Sequence, residues 1–210
     1  DLSRGLADIA IIGQDWVDEM TGIAGPLIKL EDLRFGEVTV VFAMPTERAA
    51  LGLTEYFLSN TGHENAEYPI IVYTEYVALT KERFVENEGY RRRFGDRFPV
   101  VEHGTLREGQ NELVQIIYSE GATEEYIRKG FPIVDNVQSG NTLARAGGTV
   151  VDVLMVSRAG LYARPGLEDD LWAWEKARDI KNALQGVVEA STHYDVKFNI
   201  VMAQLEPVLG

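Results

Sequence analysis

The chain has 210 residues, 45% of them hydrophobic and 25% charged, which is enough for one large domain or two modest lobes with a real core. No apolar run approaches the ~18 residues of a bilayer span, no signal-peptide pattern opens the chain, and zero cysteines exclude disulfides, thiolate nucleophiles and cysteine-bound zinc. A net charge of -13 argues against a nucleic-acid partner; a phosphate-bearing ligand would need a local site, or would have to arrive with Mg2+. These features fit a cytoplasmic protein.

"LADIAIIGQDW" contains a near-continuous apolar run from Leu6 to Ile12, closed by Gly13 and followed by Asp15. That is the pattern of a buried strand of an α/β sheet ending in a turn. Such a strand seldom lies so close to a chain start, so a further N-terminal piece is expected. Asp15 reads as the N-cap of a helix through "WVDEM" or as an acid facing a cleft. "EVTVVFAMP" (Glu37–Pro45) and "YPIIVYTEY" (Tyr68–Tyr76) are rich in β-branched and aromatic residues and predict strands. Between them, Ala49, Leu53, Phe57 and Leu58 recur at helical spacing, with Asn60 and Gly62 suited to end the helix. A second helix is predicted over Leu79–Gly89. The basic run Arg91–Arg93, with Arg97 behind it, reads first as a solvated cluster.

A strand is expected around Pro99–Glu102 and another over Val114–Tyr118. A turn at Gly121 and a helix from Thr123 to Lys129, stopped by Gly130, follow. "FPIVDNV" predicts a strand that delivers the chain to "DNVQSGNTL" (Asp135–Leu143), whose glycine permits a tight turn before a helix starting near Thr142. Successive N–H groups from Ser139 to Thr142, the two hydroxyls and the helix dipole can together cradle a phosphate. The bland alternative is that Ser139 and Thr142 only cap that helix. Gly147–Arg164 predicts a long strand region. Glu168–Ser191 predicts a helix with acids at its amino end and an apolar stripe of Leu171, Trp174, Ile180, Leu184, Val187 and Val188. "HYDVKFNIVM" alternates as a final strand. His63, His103 and His193 show no ligand spacing, and Trp172 and Trp174 fit core or oligomer contacts better than base stacking. Strands interleaved with helices mean an α/β protein in two lobes.

An acid followed by a hydroxyl–glycine loop at a strand end resembles the phosphoribosyltransferase grip on 5-phosphoribosyl pyrophosphate (PRPP). The common class places two adjacent acids there, whereas here the second position is Asn136. "DNVQSGNTL" is instead similar to the D-x-V-E-T/S-G-x-T-L loop of the ATP phosphoribosyltransferases, the first enzymes of histidine biosynthesis, with Gln138 where Glu is frequent. Five further segments resemble that family in the correct order. "LADIAIIGQDWVDE" is similar to its A-D-L-G-I-T-G-x-D turn, "RFGEVTVVFAMP" to its lobe-crossing strand, and "VYTEYVALTKERFVENEG" to its A-T-x-Y-P-N-L-T-x-x-Y-F segment. "EGATEEYIRKGFPIVD" is similar to its S-G-x-V-E-x-A-P segment, and "EKARDIKNALQGVVEAS" resembles the helix after the return to the first lobe. Val77 and Ala78 depart from the family's Pro-Asn, extra residues lie around Ala49–Glu67 and Arg91–Asn111, and the family's P-K-G-R-L segment is absent. The chain runs past the usual end of the short form without a full copy of the long form's regulatory domain.

The resemblance implies a two-lobed, type II periplasmic-binding-protein-like fold with mixed sheets and a cleft. The implied divisions are residues 1–43 for the first part of lobe I, 44–150 for lobe II and 151–210 for the return to lobe I. It implies transfer of a phosphoribosyl group from PRPP to N1 of ATP with release of pyrophosphate. Mg2+ would ride on PRPP and pyrophosphate rather than occupy a dedicated protein site. Asp135 and Glu124 would be catalytic, near the ribose. Gln138, Ser139, Gly140, Asn141, Thr142 and Leu143 would hold the 5-phosphate, with Gly121 and Asp15 also at the substrate site. A homo-oligomer, in some cases with a regulatory subunit, is the implied assembly. The rival classes are a two-lobed solute-binding protein and a non-catalytic or regulatory paralogue.

Overall fold

The computed structural model describes residues 2–49, 52–59 and 69–191. It opens with strand β1 (Ile9–Gly13), helix α1 (Gln14–Ala24) and β2 (Ile28–Asp32), followed by β3 (Val38–Pro45) and α2 (Leu53–Ser59). Next come β4 (Ile70–Thr74), α3 (Val77–Glu86), α4 (Glu88–Phe94), β5 (Pro99–His103), β6 (Leu106–Glu108) and β7 (Asn111–Tyr118). The last part holds α5 (Glu125–Arg128), β8 (Ile133–Val137), α6 (Asn141–Arg145), β9 (Gly148–Ser157), β10 (Ala159–Ala163) and α7 (Leu171–Ala190). The strands make a small antiparallel sheet in the order β1-β10-β2 and a large mixed sheet in the order β6-β5-β7-β4-β8-β3-β9. The expected helix end at Asn60 and Gly62, His63, His193 and the strand "HYDVKFNIVM" lie outside the described residues.

The large sheet is covered on both faces. Along β3, Val40, Phe42 and Met44 point to one side, where they meet Leu53 and Phe57 of α2, Phe84 of α3 and Tyr90 and Phe94 of α4. Val41 and Ala43 point to the other, against Ile127 of α5 and Leu143 and Ala146 of α6. Period-two alternation with both faces apolar is what a doubly covered strand requires. The predicted strand region Gly147–Arg164 is two strands that part at Arg158. β9 pairs with β3 in the large sheet, and β10 then pairs with β1 and β2 in the small one. The chain therefore returns to the small sheet beside the strand by which it left.

Several expectations are corrected. Among the described residues β1 lies at the edge of its sheet rather than at the centre. β10 takes the centre because it hydrogen-bonds on both sides; Ile11 of β1 is 52% exposed, and Leu6, ahead of the strand, is 73% exposed. The predicted helix Leu79–Gly89 breaks at Asn87, whose side chain accepts from the N–H groups of Gly89 and Tyr90 and starts α4 as its N-cap. The arginine run is the solvent-exposed cluster expected, with Arg91, Arg92 and Arg97 exposed and Arg93 half-buried, though its guanidinium groups have partners. Arg91 donates to the Glu86 carbonyl, Arg93 to that of Phe57 and Arg97 to that of Phe94, while Arg92 pairs with Glu88. On α7 the buried residues are Ala173 and Ala177, packed near Ala163 and Leu167. Leu184 and Val188 are partly covered, but Leu171, Ile180 and Val187 of the predicted stripe are exposed. Alanines bring the helix axis close to the sheet, and the larger residues sit to either side of the contact. β2 and β6 were not anticipated; β6 is three exposed residues that pair with β5 in a hairpin, and its Arg107 is ion-paired with Glu102 of β5 and Glu112 of β7.

The α2–α4 contact depends on Gly89. A Cβ built there meets the Thr54 carbonyl oxygen at 2.2 Å, and backbone cannot yield as a side chain can. Gly89→Ala is expected to cost about 2 kcal/mol, read as a lower midpoint in denaturant unfolding with unchanged slope.

Candidate functional site

β4 runs parallel to β7 and β8, so their carboxyl ends share one edge of the large sheet, where crevices open in α/β folds. A cavity of about 310 Å³ lies there. Glu75, just past β4, and Glu124, at the start of α5, contribute two of its carboxylates. Asp135 on β8 contributes the third, and Asn136, Thr142 and Leu143 complete the part of the wall that matters here.

The connection from β8 to α6 is short because Gly140 takes the N-cap position in a left-handed conformation, φ 69°, which favours glycine. No side chain caps this helix, so Ser139 and Thr142 are not its caps. The first internal bond runs from the Ala144 N–H to the Gly140 carbonyl. The N–H groups of Asn141, Thr142 and Leu143 therefore open the helix without an internal acceptor. Gln138, Ser139 and Asn141 are exposed on this loop, and Leu143 is buried beneath it.

The acids are electrostatically strained. Burial pushes the Asp135 carboxyl up to about 6, and the charges of Glu124 and Glu75 add to the rise, against the Asn136 N–H that it accepts at 2.8 Å. Because this group titrates near 6 when folded rather than at 3.8, the folded chain holds the extra proton between those values. The ionised form costs stability above about pH 6, and the cost fades as pH falls toward 4. Asp135→Asn is therefore expected to raise the unfolding temperature at about pH 7.5, with the advantage shrinking toward pH 5. Among the described residues no three His, Cys, Asp or Glu side chains stand close enough to hold a metal ion.

Gly121 (φ 64°) is followed by Ala122 at φ 50°, a left-handed alanine. Such a residue costs about 1 kcal/mol, so Ala122→Gly is expected to stabilise the chain by somewhat less, checked by thermal unfolding. The Gly121 N–H donates to the Glu75 carboxylate. Thr123 is buried and shares a hydrogen bond with Ser119.

Asp15 stands apart from this group. It is 3% exposed, and both its carboxylate oxygens are used within the chain: Oδ1 accepts from the Ser157 hydroxyl at 2.6 Å and Oδ2 from the Tyr76 hydroxyl at 2.8 Å. It is not a helix N-cap, since Gly13 takes that position and α1 has no side-chain cap. Tyr76 in turn accepts from the Asn136 amide at 2.7 Å, so a chain of hydrogen bonds, buried as far as Tyr76, joins α1 to the strand bearing Asp135. One turn along α1, the Glu19 carboxylate accepts from the N–H groups of Ala78 (2.8 Å) and Leu79 (3.0 Å) at the start of α3. That helix has no cap from its own segment, and Glu19 supplies one from a distant element. Burial raises the Glu19 carboxyl, and these N–H groups oppose the rise. Trp16 covers Tyr76 with ring centres 5.2 Å apart.

Sequence reading missed Glu75 and Tyr76. Both were absorbed into the predicted strand Tyr68–Tyr76, which in fact ends at Thr74. The usable signal was their place at the carboxyl end of a parallel strand. His103 is exposed and stacks on Tyr118.

A family model described as HisG, ATP phosphoribosyltransferase, matches residues 2–186. The ATP phosphoribosyltransferase of Solibacter usitatus is 25% identical over 209 residues, covering 98% of this chain and 61% of its own length. That of Bradyrhizobium diazoefficiens is 30% identical over 206 residues, covering 93% and 56%. The chain thus spans less than two thirds of the length of these curated relatives. Among solved structures, a chain of the "ATP phosphoribosyl transferase (HisG:HisZ) complex from Thermotoga maritima" shares the fold with a TM-score of 0.61 at 21% identity, over 90% of this chain and 74% of that one. The architecture is the two-lobed, type II periplasmic-binding-like one.

Proposed function

The chain belongs to the ATP phosphoribosyltransferase family, and from that premise we propose that its cavity binds PRPP and transfers the phosphoribosyl group to N1 of ATP, releasing pyrophosphate. The observation that carries this reading is the β8–α6 connection, where uncapped N–H groups and two hydroxyls adjoin a wall of carboxylates. Phosphate requires the first and a ribose the second. The N–H groups of Asn141, Thr142 and Leu143, with the Ser139 and Thr142 hydroxyls, hold the 5-phosphate. Gly140 keeps a Cβ out of that approach, and Gln138 flanks it. Asp135 and Glu124 accept hydrogen bonds from the ribose hydroxyls and stabilise positive charge developing at the anomeric carbon. Mg2+ carried in on the pyrophosphate would supply neutralisation of the leaving group. A cavity with three acids favours such a cation-bearing ligand over a bare anion.

The division into lobes at residues 1–43, 44–150 and 151–210 is part of this reading. It is supported by β1, β2 and β10 falling in the first and last of these and making one sheet. Asp15 supports the site from the small-sheet side through Tyr76 rather than by touching substrate. The exposed Leu171, Trp172, Ile180 and Val187 on α7 support assembly into an oligomer or with a regulatory subunit. Family membership sets the transferase ahead of a two-lobed solute receptor. The test is calorimetric titration of PRPP with Mg2+ into this chain, followed by ATP. Saturable heat and pyrophosphate release are expected, and neither, from a demonstrably folded chain, would sink the reading.

A further inference from the structure

Glu75 stands at the carboxyl end of β4 and accepts a hydrogen bond from the N–H of Gly121, tying together two segments 46 residues apart. The tie falls at a particular point. Gly121 (φ 64°) and Ala122 (φ 50°) are consecutive left-handed residues, a conformation glycine adopts freely but which persists at Ala122 only where the surroundings impose it. On the far side of the turn, buried Thr123 is bonded to Ser119, and the Ser119 N–H is bonded to the Thr74 carbonyl. The turn is thus clamped at both ends against the end of β4, and the next residue is Glu124, in the cavity wall. A third carboxylate beside Glu124 and Asp135 adds repulsion to the site, so charge alone gives Glu75 no reason to be there. Its hydrogen bond does.

Resting on the phosphoribosyl reading above, we infer that Glu75 is a positioning residue: it pins the Gly121–Ala122 turn and thereby sets where the Glu124 carboxylate meets the ribose. The effect is conveyed by an acceptor oxygen. Glutamine keeps that oxygen and loses the charge, whereas alanine loses both.

The test combines calorimetric titration of PRPP with Mg2+ and amide hydrogen exchange at Gly121 in four variants: Glu75→Ala, Glu75→Gln, Glu124→Ala and the double Glu75→Ala/Glu124→Ala. Glu75→Ala is expected to weaken binding by about tenfold, the size of one lost charged hydrogen bond, and to speed exchange at Gly121. Glu75→Gln is expected to restore both. In the Glu124→Ala background, Glu75→Ala is expected to add nothing, because the residue through which it acts is gone. Equal losses in the alanine and glutamine variants would overturn the inference, as would additive losses in the double variant. Unchanged exchange at Gly121 in Glu75→Ala would overturn the pin itself. Gly121 exchange that responds to Glu75→Ala in a parent chain that binds no PRPP would overturn the phosphoribosyl reading and leave the pin standing.

Discussion

Replacing Ser139 and Thr142 together with alanine is expected to weaken binding of PRPP with Mg2+ by about 100-fold. Each hydroxyl is proposed to donate to a charged phosphate oxygen, and such a bond is worth about 1.5 kcal/mol. Two of them amount to about 3 kcal/mol, or roughly two decades of affinity. Neither side chain caps α6 and both are exposed, so the unfolding temperature should not move, which separates lost binding from lost structure. Calorimetric titration of the variant beside the parent reads the effect. An unchanged dissociation constant would remove the loop from the site. A smaller loss, of about tenfold, would mean that the backbone N–H groups of the first turn of α6 carry most of the phosphate affinity.

Asp15→Ala is expected to lower stability by about 3 kcal/mol, which for a chain of this size is a fall of about 10 °C in unfolding temperature. The carboxylate is buried and accepts from two hydroxyls, those of Ser157 and Tyr76. Its removal leaves both without this acceptor, and each buried unmade bond costs about 1–3 kcal/mol. Asp15→Asn retains one acceptor oxygen and should lose less. The variant also decides between two roles. If Asp15 touched substrate, as the family resemblance implies, PRPP binding would fall while unfolding temperature held. If Asp15 ties the small sheet to Tyr76, stability would fall first, and binding would suffer only through Asn136, which shares Tyr76 with it. Unchanged unfolding temperature would show that the buried chain contributes nothing to holding the two sheets together.

The connection from β8 to α6 was legible in the chain because its determinants are local. A strand of β-branched residues, a glycine that alone tolerates the left-handed turn at position 140 and a following helix start are all set within about ten residues, and β8, the loop and α6 follow that reading closely. The strand β3 and the helices over Leu53–Ser59 and Leu171–Ala190 were legible as elements for the same reason, from β-branched residues and helical spacing, although the spacing on α7 did not tell which residues are buried. Asn87 shows the limit of that logic. The helical pattern runs on past it, but a side-chain cap competes successfully for the backbone.

What the sequence determined by itself, then, was the α/β class, the family and the strand–glycine–helix connection over residues 135–143, each set by neighbours along the chain. Only the tertiary structure decided that Asp15 faces Ser157, 142 residues away, that Glu19 caps a helix of the other sheet, that β1 lies at an edge among the described residues and that α7 buries its alanines. It also decided that Glu75 joins Glu124 and Asp135. The physical reason is common to all of these. A carboxylate or an apolar residue has no fixed role until its surroundings determine whether it is desolvated and which donor meets it, and those surroundings come from segments that pairing of β3 with β9 and β1 with β10 brings together.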